Sequence, residues 1–306
     1  MTSLLYIIPY RCADQFRAKN LNIVLQWAKS VKTMFFSLNQ KIVFDILVIE
    51  QSEKQSIKNL VDINHIFIYN KGAFNKAWAF NVAVKQNPDY DYYIFADADI
   101  IILDVKGLCS QIIAFCVTTP QPAFRLFNDC LATDMLTLSD CQDFNDLMAK
   151  QPLKLVRRGS ITFAGGNIAI SRQTYDKIGG WDEQFEGWGR EDNFMTIKLQ
   201  SIGECKKIIC NLPSIHLWHP VLVKLNKTTI DLYAQLSTYT NDQLLELIVR
   251  TKLLIGNPQK YSMPVQLVQP IQPIQSNLFN QSNQSNPSNQ SLKIIRNYRK
   301  KKDGRC

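Results

Sequence analysis

The chain has 306 residues, 46% of them hydrophobic and 10% aromatic, enough apolar material for one large core or two small ones. Net charge is +9, but seven basic residues and one acid fall between Lys293 and Arg305, so a net +6 of it belongs to the C-terminus. The body is therefore only mildly basic, which removes bulk charge as evidence for a nucleic-acid substrate, and its composition is globular rather than disordered.

The first 104 residues alternate in a readable way. Leu4 to Ile8 is a short apolar run ended by Pro9, suited to a buried strand. Phe16, Leu21, Val24, Leu25, Ala28 and Val31 recur at helical spacing. Ile42 to Ile49 is aliphatic and β-branched, a second strand; His65 to Tyr69 reads as a third, Phe74 to Lys85 as a helix, and Tyr92 to Ala96 as a fourth strand ending at Asp97. Near-continuous apolar strands alternating with helices predict an α/β fold whose mostly parallel sheet is covered on both faces. Ligands bind such sheets at the carboxyl ends of the strands. Pro9-Tyr10-Arg11, Glu50-Gln51 and Asp97-Ala98-Asp99 all fall at those ends.

Residues 105–160 read as helices with a strand near Ala123 to Phe127. Gly165-Gly166 then leads a strand over Asn167 to Ser171, a Trp/Gly-rich loop precedes a helix from about Glu191 to Ser201, and Asn241 is expected to cap a later helix. Pro264 to Gln290 carries no charge and consists mainly of Gln, Asn, Ser and Pro, which cannot bury enough apolar surface to offset the entropy of ordering. The domain boundary is expected near 257–263, with 1–256 as the catalytic domain and 257–306 as a low-complexity tail. The basic end of that tail suits a solvated segment or weak contact with an anionic membrane.

Eight cysteines are scattered without C-x-x-C spacing, which reads as reduced thiols. Leu4 to Pro9 is too short for a signal sequence and no 18-residue apolar run occurs, so a cytoplasmic address, or the cytosolic face of a membrane, is expected.

Three stretches carry chemistry. Asp97-Ala98-Asp99 ends an apolar strand, where a carboxylate for a divalent ion would sit. Two of the three histidines fall in Ile215-His216-Leu217-Trp218-His219-Pro220; on an extended backbone they point to opposite sides, so one metal is expected to take one of them. Gly187-Trp188-Gly189-Arg190-Glu191-Asp192-Asn193 reads as a glycine-hinged loop opening a helix, with an indole suited to stack on a sugar and two acids in a first helical turn that favours carboxylates.

In that order, over roughly residues 4–222, these segments resemble the GT-A-fold galactosyltransferase family, which includes the beta-1,4-galactosyltransferases and bacterial chondroitin-polymerase-type enzymes. Ile8-Pro9-Tyr10-Arg11, Ile49-Glu50-Gln51, Phe74-Asn75-Lys76-Ala77, Asp97-Ala98-Asp99, Phe163-Ala164-Gly165-Gly166, the Trp-Gly-Arg-Glu-Asp segment and Trp218-His219-Pro220 each match a family motif. The resemblance implies a nucleotide-diphospho-sugar transferase fold and Mn²⁺-dependent, inverting transfer of a hexose or N-acetylhexosamine from a UDP-sugar to a carbohydrate or glycoconjugate hydroxyl. It also implies metal binding by Asp99 and His219, with His216 as the alternative. Pro9, Arg11, Gln51, Phe74, Lys76, Asp97, Gly166 and Trp188 would surround the donor, Glu191 would hold the acceptor, and Asp192 would act as the base. The sequence departs from the family pattern at Cys12-Ala13, where a second arginine often stands and for which Arg17 is a candidate substitute, and at Arg190, where many members have glycine. Two other classes stay open: a catalytically silent nucleotide-sugar-binding module, and a protein binding nucleic acid through the basic tail.

Overall fold

The computed structural model describes residues 1–39, 41–58, 60–150, 154–157, 163, 166–187, 189–203, 209–221 and 226–262. In chain order the elements are β1 (Thr2–Tyr10), α1 (Gln15–Leu38), β2 (Ile42–Ser52), β3 (Asn64–Tyr69), α2 (Lys76–Gln86), β4 (Tyr92–Phe95) and β5 (Ile100–Ile102). They continue with α3 (Val105–Ile113), β6 (Ala123–Arg125), β7 (Asp129–Ala132), α4 (Met135–Asp140), α5 (Phe144–Lys150), β8 (Lys154–Arg157), β9 (Ile168–Ser171) and α6 (Arg172–Lys177). The last are α7 (Glu191–Ser201), β10 (Pro213–His216), α8 (Lys227–Leu236) and α9 (Asn241–Lys252).

Six strands form one sheet in the order β3-β2-β1-β4-β9-β6, parallel from β3 to β4 and antiparallel at β9. Its central strands are buried along almost their whole length because helices cover both faces. On one face, α1 and α3 contribute Val24, Trp27, Val31, Leu108 and Ile112 to a core shared with Tyr6, Ile8, Phe44 and Val48. On the other, Trp78, Phe80 and Val82 of α2 meet Ile7, Ile49, Phe95, Tyr175 and Trp181. A third cluster joins Phe194 of α7, Leu236 of α8 and Leu244 and Leu247 of α9. The mixed, mostly parallel α/β sheet covered on both faces is the arrangement the apolar runs predict.

The second sheet, β5-β10-β7-β8, is not evident from sequence pattern. Its role is topological. Asp97 follows β4 in the first sheet and Asp99 precedes β5 in the second, so the D-x-D segment is the crossing between sheets. Antiparallel pairing of β10 with β5 sets His216 opposite Ile100, and the Leu217 amide donates to the Asp99 carbonyl at 2.8 Å. That pairing closes the distance of 120 positions between Asp99 and His219.

One helix cap moves. Thr240, rather than Asn241, caps α9, its hydroxyl and the Gln243 side chain forming a reciprocal capping box. Beyond Gly256, Asn257 to Ser262 pack against α2: the Trp78 indole donates to the Asn257 carbonyl (2.7 Å) and stacks edge-on against Tyr261. The remaining tail lies outside the described residues. No helix among the described residues is long and apolar enough to cross a membrane. Five of the six described cysteines are buried.

Lys198 of α7 is 3% exposed, and its Nζ donates to the Gly180 carbonyl at 2.7 Å. Burial lowers its pKa from 10.5 to about 8, against a smaller opposing effect of Asp182. The unfolded chain then binds this proton more tightly, so stability should rise as pH climbs from about 8 toward 10.5 and show no pH dependence from this group well below 8, where its burial penalty is fully present. Lys198→Met should flatten that rise relative to wild type in denaturant midpoints at pH 7.5 and 9.5; parallel curves for the two proteins would refute it.

Candidate active site

Asp99 is 5% exposed and lies between three cationic or basic groups. Its Oδ2 accepts from Arg17 Nη1 at 2.7 Å and stands 3.2 Å from His219 Nε2, while Oδ1 is 3.8 Å from His216 Nε2. Burial would raise its pKa, but His216, His219 and Arg17 together hold it well below the usual carboxylate range. Arg17 reaches this point because Asp14 caps α1, accepting from the amides of Phe16 and Arg17. Arg17 is thus a site residue that sequence spacing only raises as a candidate.

Both histidines come to Asp99, unlike the extended-backbone expectation of one. The strand ends at His216, and the chain then turns: the Trp218 amide donates to Thr133 Oγ1 (2.8 Å), its carbonyl accepts from Asn20 (3.1 Å), and its ring packs edge-on against Phe16 of α1. Strand alternation therefore does not run on to His219, and the two imidazole rings lie 5.2 Å apart. One oxygen from Asp99 and one nitrogen from each histidine all fall within 4.8 Å of one another. This mixed oxygen and imidazole donor set fits a divalent transition ion and is sparse enough to leave positions for phosphate oxygens.

Next to it is a second charge cluster. Lys76 Nζ lies 2.9 Å from Asp97 Oδ1, 3.1 Å from Asp192 Oδ1 and 3.3 Å from Glu191 Oε1. Burial alone would lower the Lys76 pKa, but Asp192, Asp97 and Glu191 raise it well above its ordinary value. Burial raises Asp97, opposed by Lys76 and reinforced by the charges of Asp192 and Asp99; burial likewise raises Glu191. Glu191 Oε2 is buried without a hydrogen-bond partner among the described residues. Asn167, which follows Gly166, accepts from the Asp97 amide (3.0 Å) and donates toward Tyr6 Oη (3.4 Å), a positioning role that sequence pattern does not reveal.

The remaining expected donor residues divide. Arg11 Nε, Nη1 and Nη2 donate to the carbonyls of Gln51 (2.8 Å), Gly72 (2.8 Å) and Asn70 (3.1 Å), and its guanidinium faces the half-buried Phe74 ring at 5.7 Å. Gln51 is fully buried, and its amide is committed to Asn75 and Asn70, so it braces the loop at the end of β2. Pro9 is likewise buried within β1. Trp188 lies outside the described residues. A cavity of about 200 Å³ beside Gln15, Phe16, Lys19 and Ser139 includes none of these side chains.

Comparison with known proteins adds an independent line. The family model for the N-terminal domain of galactosyltransferase matches residues 148–210, the segment that carries Gly166, Glu191 and Asp192. No curated protein sequence matches the chain. Among solved structures, the catalytic domain of Drosophila beta-1,4-galactosyltransferase 7 with xylobiose is 17% identical over 79% of this chain and 84% of its own, with a TM-score of 0.46. GalNAc-T7 with UDP, GalNAc and Mn²⁺ is 13% identical over 86% of this chain and 52% of its own, with a TM-score of 0.49. TarS of S. aureus with UDP-GlcNAc is 10% identical over 87% and 77%, with a TM-score of 0.48. The family-model match covers 63 of the 306 residues and takes in the acidic first turn of α7.

Gly166 tests the packing of this site. Its φ is +81°, and a Cβ there would fall 2.2 Å from Asp97 Oδ2. Gly166→Ala should therefore destabilise the protein by about 1–3 kcal/mol through left-handed strain and displacement of the carboxylate. Denaturant titration reads this directly, and an unchanged free energy of unfolding would contradict the geometry.

Proposed function

We propose that this protein is an inverting glycosyltransferase that moves a hexose or N-acetylhexosamine from a UDP-sugar to a hydroxyl of a carbohydrate or glycoconjugate acceptor, with Mn²⁺ or a similar divalent ion. The observation that carries the reading is the adjacency of two clusters: the Asp99–His216–His219 donor set, and the Lys76 ammonium shared by Asp97, Glu191 and Asp192. The first suits an ion on a diphosphate. The second ties the acidic first turn of α7 to the end of β4, within reach of the same locus.

Asp99, His219 and His216 would hold the ion, which neutralises charge on the departing nucleoside diphosphate when bound. Arg11 and Phe74 form a cation–aromatic wall at the carboxyl ends of the parallel strands, where a nucleotide would lie, with Pro9 and Gln51 behind it. Glu191 Oε2, buried and without a hydrogen-bond partner among the described residues, suits an acceptor hydroxyl. Asp192 would take the proton of the attacking hydroxyl as the new glycosidic bond forms and the bond to the diphosphate breaks on the opposite side. Lys76 would then turn from the carboxylates toward the anionic donor, and Trp188 would cover the sugars. Five buried cysteines, none in a disulfide among the described residues, favour a reducing, cytoplasmic setting.

Asp192→Asn should leave UDP affinity within about twofold of wild type and lower turnover on the order of 10²–10⁴. Normal turnover by that variant would remove Asp192 as the base.

The metal site has its own pH signature. Burial would lower the His219 pKa, but its hydrogen bond to Asp99 and the charge of that carboxylate raise it above 6.5. A metal needs the neutral imidazole, so Mn²⁺ affinity should fall as pH drops through a value above 6.5. Mn²⁺-induced thermal shift should be large at pH 8, small at pH 6 and absent in Asp99→Ala at both. An equal shift in that variant would place the ion elsewhere.

A further inference from the structure

The segment Gly256 to Ser262, which by composition begins the low-complexity tail, is hydrogen-bonded to both sides of the loop that leads to Glu191 and Asp192. The Gly256 amide donates to Glu183 Oε1 at 2.6 Å, and Lys260 Nζ lies 3.2 Å from the Glu183 carbonyl and 3.3 Å from its Oε2. Tyr261 Oη accepts from Asn75 Nδ2 at 3.0 Å and donates to Glu186 Oε1 at 2.6 Å. The same Asn75 amide also donates to the Glu183 carbonyl at 2.8 Å, while Asn75 Oδ1 caps α2 by accepting from the Trp78 amide. Asn75 immediately precedes Lys76. Glu186 immediately precedes Gly187, whose φ is +83° and whose amide donates to the Phe74 carbonyl at 2.8 Å. One phenol therefore joins the residue before the ammonium to the residue before the glycine hinge.

We propose that Gly256–Ser262 is a strap that sets the resting position of the 181–190 loop, and that Tyr261 is its positioning residue, fixing Lys76 relative to the acids of α7. The strap has a rigid backing. Tyr261 packs edge-on against buried Trp78 at 4.8 Å, Asn257 accepts from that indole at 2.7 Å, and a Cβ at Gly256 would meet the Asn81 carbonyl at 2.9 Å. Glu183 is only 9% exposed and its carboxylate is shared among Asn81, Gly256 and Lys260, so the attachment point cannot shift without stranding a buried charge. From the far side, Asn226 donates to the Glu186 carbonyl at 3.0 Å. The loop is thereby anchored from both directions as far as Glu186. The effect on turnover rests on the glycosyltransferase reading above; the effect on loop order does not.

The test uses the full chain with Tyr261→Phe, which keeps the ring packing and removes the bridge, and Glu186→Gln, which keeps an acceptor for the phenol. Amide hydrogen exchange in the peptide spanning 184–190 should quicken about threefold to tenfold in Tyr261→Phe, the range expected for losing one hydrogen bond, and stay near wild type in Glu186→Gln. Exchange in β10 should not change. Transfer turnover should fall several-fold in Tyr261→Phe with the KM for the UDP-sugar held within twofold, and Glu186→Gln should retain turnover. Unchanged exchange at 184–190 in Tyr261→Phe, or a uniform rise across the whole protein, would overturn the strap. Absence of transfer by the wild-type protein across UDP-sugars would instead count against the glycosyltransferase reading while leaving the exchange result decisive for the strap.

Discussion

Four carboxylates gathered where β4 ends are the constraint on which the rest of this structure depends. Asp97, Asp99, Glu191 and Asp192 could not share one partly dehydrated locus unless cations came with them, because an uncompensated buried charge costs several kcal/mol. Lys76 serves three of them and Arg17 with two imidazoles serves the fourth. Each cation is delivered by a helix start: Arg17 from the Asp14-capped first turn of α1, and Lys76 from the Asn75-capped first residue of α2. The acidic locus is thus balanced in large part by basic side chains of the same chain.

The D-x-D segment gains its meaning from crossing between sheets. Asp97 closes the parallel sheet and is steadied by Asn167, whereas Asp99 opens the smaller sheet, where β10 returns alongside β5. A single dipeptide step therefore hands one carboxylate to Lys76 and the other to the histidines. Gly166 completes the arrangement, since only a residue without Cβ fits beside the Asp97 carboxylate.

The parallel half of the fold is legible from continuous apolar runs, because helices cover both faces and leave no polar alternation to confuse them. The second sheet is not: Ile100 to Ile102 and Pro213 to His216 are three- and four-residue strands whose pairing is non-local. The histidine geometry departs from the extended-backbone expectation for the same reason, since the turn held by Thr133, Asn20 and Phe16 after His216 depends on tertiary partners. The bracing role of Gln51 is hidden from sequence pattern for a related reason. It does sit at a strand end, but its amide is absorbed by Asn70 and Asn75. The strap residues are hidden by composition, because Asn257 to Ser262 looks like the low-complexity stretch after it, while a single Tyr against Trp78 anchors it.

The central claim is that Asp99 and both histidines form one divalent-ion site beside the Lys76 cluster. The most direct measurement is anomalous diffraction at the manganese edge from crystals soaked in Mn²⁺ and UDP. The account predicts one strong anomalous peak among Asp99, His216 and His219, with diphosphate oxygens completing the coordination. A peak held by other side chains, or none at full UDP occupancy, would contradict it.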